Sequence, residues 1–129
     1  MSHEYTREWI SKAEADRHVA RRCLDEAGFS PGQADIACFH AQQCAEKYIK
    51  AVLVSRDIIF SKIHDLLELV KLMKELKDKL NRDDLAALNQ YSVDSRYPGA
   101  ATAYSEAEEA FKAMERVVSI CDSFLGEVK

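Results

Sequence analysis

Residues 39–54 read FHAQQCAEKYIKAVLV. Ala41, Ala45, Tyr48, Ile49 and Val52 recur at three- and four-residue steps, the period of a helix with an apolar face. Ala37, Cys38, Cys44 and Ala51 widen that arc. An arc so rich in alanine lets neighbouring helices approach closely. Gln42, Glu46, Lys50, Gln43, Lys47 and His40 fill most of the opposite arc and read as a polar face. The start of this helix is well marked. Ser30-Pro31-Gly32-Gln33 places serine at the N-cap, proline at the first helical position and glutamine where a capping box wants it. The helix is expected to run to about Arg56.

The same period governs the flanks. A first helix is predicted from about Glu4 to Ala27, with Tyr5, Trp9, Ala13, Ala20, Leu24 and Ala27 at helical spacing and Gly28 as its stop. Arg17, Arg21 and Arg22 lie on its surface, where the run offers cations to RNA phosphates but more ordinarily reads as a solvated face making salt bridges. Asp57 to Ile63 is a connector. A third helix is expected from near His64, with Ser61 as its cap, because Ile63, Leu66, Leu67, Val70, Met73, Leu76 and Leu80 form a clean stripe. Asn81 caps a short fourth helix through about Tyr91. The segment from Ser92 to Gly99 is irregular: Pro98 pushes Tyr97 toward an extended conformation and Gly99 allows a turn. Ser105-x-x-Glu108 is a second capping box, opening a last helix that carries Ala107, Ala110, Phe111, Met114, Val117, Val118, Cys121 and Phe124 on one side and ends near Gly126. Nothing alternates as a strand would. The expected architecture is all-α, one domain over residues 1–129, an up-and-down antiparallel bundle of four to five helices.

Composition sets the broad class. With 129 residues, 47% hydrophobic and 31% charged, the chain can bury a core and stay soluble. Its net charge of −4 gives no global attraction to nucleic acid or anionic membrane. No apolar run approaches the ~18–20 residues that span a bilayer, and the opening MSHEYTREW has no signal-peptide character, so a cytoplasmic protein is expected. The glycines at 28, 32, 99 and 126 build neither a P-loop nor a dinucleotide-binding turn. No zinc motif occurs, so no metal and no cofactor is expected. Cys23, Cys38, Cys44 and Cys121 make no C-x-x-C pair and read as buried thiols packed as small hydrophobes.

Three polar islands stand out against that background. His40, Gln43 and Lys47 share one helix face and offer an imidazole, an amide and a cation. His64-Asp65 follows the connector, and Arg96-Tyr97-Pro98 sits in the irregular segment. Each has an ordinary alternative: a polar or dimer-contacting face, a helix cap, and a loop anchored by an arginine–carboxylate pair. Taken as a set and in this order, they carry a resemblance. Trp9 and Ala13, then His40-Ala41-Gln42-Gln43-Cys44-Ala45-Glu46-Lys47 with Lys50-Ala51, then His64-Asp65-Leu66, then Tyr91 and Arg96-Tyr97-Pro98 resemble the HEPN family (higher eukaryotes and prokaryotes nucleotide-binding domain). The likeness covers almost the whole chain.

The resemblance implies a helical bundle, a homodimer and, for stand-alone members, a small nucleotidyltransferase as companion in toxin–antitoxin-like pairs. Some branches are metal-independent ribonucleases that carry arginine and, after four to six residues, histidine. Here Arg56 and His64 are separated by seven residues and no histidine follows Arg96, a departure that points away from an enzyme. The resemblance makes His40, Gln43, Lys47, His64, Asp65, Arg96 and Tyr97 the candidate nucleotide- or partner-binding site. Lys47 and Arg96 would take anionic oxygens, and Tyr97 would stack on a base. The three islands are expected to meet over one cleft.

Overall fold

A computed structural model describes residues 3–26, 31–92 and 102–128. Among the described residues the regular structure is entirely helical: α1 (His3–Glu26), α2 (Pro31–Ser55), α3 (Leu66–Val70), α4 (Lys74–Lys79), α5 (Arg82–Asn89) and α6 (Tyr104–Leu125), closed by a 3₁₀ turn at Gly126–Val128. Three long helices of 24, 25 and 22 residues carry the architecture. Ser30, Ala27 and Gly28 lie outside the described residues, as does everything from 93 to 101. No described helix is long and apolar enough to cross a membrane.

Helix α2 is the central rod. From Ala37 to Leu53 its apolar positions are buried, apart from the half-buried Phe39. Its small side chains, Ala41, Cys44, Ala45 and Ala51, are fully buried, as close helix packing requires. Cross-contacts fix the directions. Tyr48 Oη donates to Glu14 at 2.6 Å, and Lys50 Nζ lies 5.6 Å from the Trp9 ring centre, so α1 and α2 are antiparallel. Arg17 pairs with Glu115 and Arg21 lies over Phe111, so α6 is antiparallel to α1. Thr102 bonds Asp35 at one end of α2 while Arg56 lies over Phe124 at the other, so α6 runs parallel to α2. The segment between them supplies the return leg, which completes the expected up-and-down order.

That return leg is not one helix. Lys71 closes α3, and Met73 takes an extended backbone (φ −142°, ψ 100°) before α4 begins. The sequence expectation of a single third helix is corrected there. The apolar stripe survives the break: Leu66, Leu69 and Leu76 are fully buried and Val70 nearly so. Helices of five and six residues cannot persist alone. Each buried leucine contributes ~1.5–3 kcal/mol of apolar burial, which ties these turns down.

The caps are partly as expected. Asn81 caps α5, accepting from the backbone N–H groups of Asp83 and Asp84. Asp65, and not Ser61, caps α3. Helix α6 opens at Tyr104 with Ala103 as N-cap and no side-chain bond, so the box expected at Ser105 and Glu108 does not form. Gly126 ends α6 at φ 27°; a Cβ there would meet nothing within 4 Å, so the dihedral and not space calls for glycine.

On α1 the buried register is Thr6, Ile10, Ala13, Asp16, Ala20 and Leu24. Tyr5, expected inside, is 52% exposed. The arginine run is a surface network as expected. Arg17 forks onto Glu115 through Nε and Nη2, each at 2.7 Å, and also reaches Glu14, while Arg21 and Arg22 sit near Asp25 and Glu26.

Candidate functional site

The polar arc of α2 divides into two stripes with different fates. Gln42, Glu46 and Lys50, at i, i+4 and i+8, are buried to 0%, 3% and 5% exposure. The expectation of a continuous wet face is corrected for these three. What flanks Lys50 comes from elsewhere in the chain: the Trp9 ring of α1 and the Phe60 ring of the connector lie 5.6 Å each from its ammonium, and the rings meet edge-on at 6.1 Å. His40, Gln43 and Lys47 remain at the half-buried margin.

Two buried carboxylates organise the stripes. Asp16 of α1 is the first. Its Oδ1 lies 2.7 Å from His40 Nδ1 and its Oδ2 accepts from Lys47 Nζ at 2.6 Å. One carboxylate thereby aligns a cation and an imidazole that are seven residues apart on α2, each about a quarter exposed. Glu46 is the second. Its Oε2 accepts from Lys50 Nζ at 2.9 Å and lies 3.1 Å from His64 Nδ1, and its Oε1 accepts from Gln42 Nε2 at 3.1 Å. Gln42 also approaches the His64 carbonyl at 3.5 Å and accepts from Gln43 Nε2 at 2.7 Å. Gln43 therefore leads from the outer stripe into the inner one.

The seven candidate residues distribute as follows. His64 lies against α2 through Glu46 and Gln42 and not by direct contact with Gln43 or Lys47. Asp65 serves its helix: Oδ1 accepts from Leu67 N at 2.9 Å, Glu68 N at 3.4 Å and Asn89 Nδ2 at 2.7 Å, while Asn89 Oδ1 accepts from Leu66 N at 2.9 Å. That clasp fixes the residue next to His64 and joins α3 to α5. Arg96 and Tyr97 lie outside the described residues.

Asp16, Gln42, Glu46 and Lys50 were not among the expected site residues. Asp16 left a legible signal, because it interrupts the apolar register of α1 between Ala13 and Ala20. A charge in a core register needs a partner, and α2 supplies two. Glu46 and Lys50 carried no such mark. Two open clefts lie elsewhere, one lined by Tyr5, Ile59 and Phe60, the other by Arg21, Tyr104 and Phe111, and neither is lined by any of the seven candidates.

Chemically, the arrangement holds two imidazoles by Nδ1 on carboxylates and one lysine on a third contact. This leaves the Nε2 atoms and part of the Lys47 ammonium for a ligand or partner. Among the described residues no group of three or more histidine, cysteine or acidic side chains could hold a metal ion. Burial pushes the Cys44 thiol far up from its ordinary range, and burial with the Glu14 bond does the same for the Tyr48 phenol. Neither is poised as a nucleophile at neutral pH.

Comparisons with known proteins agree on the kinship. The model of the HEPN domain matches residues 6–124. The chain is 28% identical over 142 aligned residues to Putative toxin MJ1304 of Methanocaldococcus jannaschii, covering 96% of this chain and 90% of that protein. The crystal structure of TT1696 from Thermus thermophilus superposes with a TM-score of 0.71 at 27% identity, covering 93% of this chain and 98% of that one. The crystal structure of ST0689, an archaeal HEPN homologue, gives 0.67 at 25% identity, covering 96% and 98%.

Proposed function

The chain belongs to the HEPN family, and from that premise we propose that it is a cytoplasmic nucleotide-binding and interaction module. It works as a homodimer and as companion of a small nucleotidyltransferase in a toxin–antitoxin-like pair. The ligand or partner group is received by His40, Gln43, Lys47 and His64 on α2 and its flank, with Arg96 and Tyr97 completing the site and Asp65 holding its edge. The observation that carries the reading is the paired anchoring: Asp16 holds His40 and Lys47, and Glu46 holds His64, so flexible side chains are ordered before any ligand arrives. Lys47 supplies charge for a phosphate, and the imidazoles supply polar contacts. The test is thermal stability across a panel of nucleotides, together with recovery of the partner when the chain is purified from its own cells. Stabilisation by one nucleotide class or by a bound nucleotidyltransferase is the expected result. An unchanged melting temperature across the panel with no partner recovered contradicts the proposal.

A second reading, a metal-independent ribonuclease toxin, draws support from the curated relative's name and from His64, an exposed imidazole backed by a buried carboxylate. Such an imidazole could take the proton of a ribose 2′-hydroxyl while Arg96 stabilised the phosphorane. The spacing of its arginines and histidines departs from the ribonuclease branches, which places this reading second. RNA that stays intact through long incubation with the folded chain in chelator supports the first reading. Cleavage that disappears in Arg96→Ala or His64→Ala supports the second.

A further inference from the structure

The Gln42–Glu46–Lys50 ladder raises a question that stability does not answer. Two opposite charges and an amide are taken out of water, although apolar side chains of similar volume would fill the same space without loss of stability. Both oxygens of Glu46 are held. Oε1 accepts from Gln42 at 3.1 Å, and Oε2 accepts from Lys50 at 2.9 Å. The ammonium is held in turn between the Trp9 and Phe60 rings. The carboxylate therefore cannot rotate freely. The group that this rigid assembly presents to solvent is His64, whose side chain is 66% exposed. Exposed imidazoles ordinarily sample several rotamers. This one is held at Nδ1 by Glu46, and its own backbone carbonyl is approached by Gln42.

The bond has a chemical direction. A carboxylate offers only acceptors, so the proton between the two groups belongs to Nδ1. A neutral ring has one N–H, and its lone pair is then on Nε2. We infer that Glu46 is a positioning residue for His64: with Gln42 and Lys50 it fixes the neutral imidazole in the Nδ1–H form, so that Nε2 meets the ligand as a hydrogen-bond acceptor. The ligand group that the neutral ring faces is then an O–H or N–H donor, such as a ribose hydroxyl, and not a phosphate oxygen. The choice of ribose rests on the nucleotide-binding reading above; the assignment of the imidazole does not. Within that reading the work divides. Lys47, held on Asp16, takes the anionic end, and His64 takes the sugar.

The experiment is a nitrogen-resolved NMR spectrum of the imidazole side chains at alkaline pH, where histidines are neutral. It is recorded on the wild type, on Glu46→Met/Lys50→Met and on the triple variant Gln42→Leu, Glu46→Met, Lys50→Met. AMP and orthophosphate are titrated separately into each. The expected spectrum shows His64 as Nδ1–H in the wild type and as the Nε2–H form favoured by free imidazole in the triple variant. AMP binding weakens about tenfold in the triple variant, as it does in His64→Ala, while orthophosphate binding is unchanged. Should the triple variant fail to fold, Glu46→Met/Lys50→Met gives the same readouts, because no carboxylate then faces His64 Nδ1. A wild-type His64 found as Nε2–H overturns the inference. So does a folded ladder variant that binds AMP as tightly as the wild type. A wild type that binds no AMP but holds His64 as Nδ1–H overturns the nucleotide reading and leaves the positioning role standing.

Discussion

Replacing Glu46 by alanine strands the Lys50 ammonium. Lys50 is 5% exposed, and its ion-pair partner among the described residues is Glu46, at 2.9 Å. His64 also loses its anchor, but it is largely exposed and rehydrates at little cost. The penalty therefore falls on the buried cation and on the amide of Gln42. Removing one partner of a buried pair costs about 3–5 kcal/mol, against a total stability of roughly 5–15 kcal/mol. At this chain length that corresponds to a fall in melting temperature of about 10–20 °C. Replacing both partners by methionine leaves no charge uncompensated and keeps aliphatic volume against the Trp9 and Phe60 rings. Glu46→Met/Lys50→Met is expected within about 1 kcal/mol of wild type. The assay is urea unfolding followed by far-ultraviolet circular dichroism on the wild type, Glu46→Ala, Glu46→Met, Lys50→Met and the double methionine variant. Strong non-additivity is predicted. A Glu46→Ala variant destabilised by less than about 1 kcal/mol, or a double variant as unstable as the sum of the singles, would refute the reasoning.

Three further outcomes follow from the same structure. Asp65→Ala removes the α3 cap and the Asn89 clasp and is expected to cost about 1–2 kcal/mol, read by unfolding and by loss of amide protection at Leu67 and Glu68; Asp65→Asn, which still accepts, recovers most of it. Native protein should react with a thiol reagent at Cys23 first, since Cys38, Cys44 and Cys121 are buried, and all four should react after denaturation. Stability should fall in the alkaline range. The folded pKa values of Cys44 and Tyr48 are raised, so above the ordinary values of 9.0 and 10.0 the unfolded chain releases protons that the native chain retains. The unfolded state is then favoured by at most about 1.4 kcal/mol per pH unit per group, and Cys44→Ala should flatten the slope measured between pH ~9 and ~10.

The long helices were legible because their apolar residues repeat with the helical period, and local signals marked Gly126 as the end of α6 and Asn81 as the cap of the short α5. The break at Met73 was not legible. No glycine or proline marks it, and the stripe from Leu66 to Leu80 keeps helical spacing across it, so periodicity is blind to a backbone that turns while its leucines stay inward. For the site, His40, Lys47 and His64 could be picked out by residue type and spacing. Which carboxylates hold them could not, because Glu46 meets His64, and Lys50 meets Trp9 and Phe60, only in the assembled bundle. Asp65 shows the opposite case: its local role as a helix cap was stated beside the binding role, and the cap is what its bonds record.

The chain contains four histidines, which makes one titration decisive. His3 and His18 are exposed on α1, while His40 and His64 are held on Asp16 and Glu46. Imidazole resonances followed by NMR during addition of AMP should move together for His40 and His64 and stay still for His3 and His18. Stationary His40 and His64 signals, or shifts confined to His3 and His18, would contradict a nucleotide site on this face of α2.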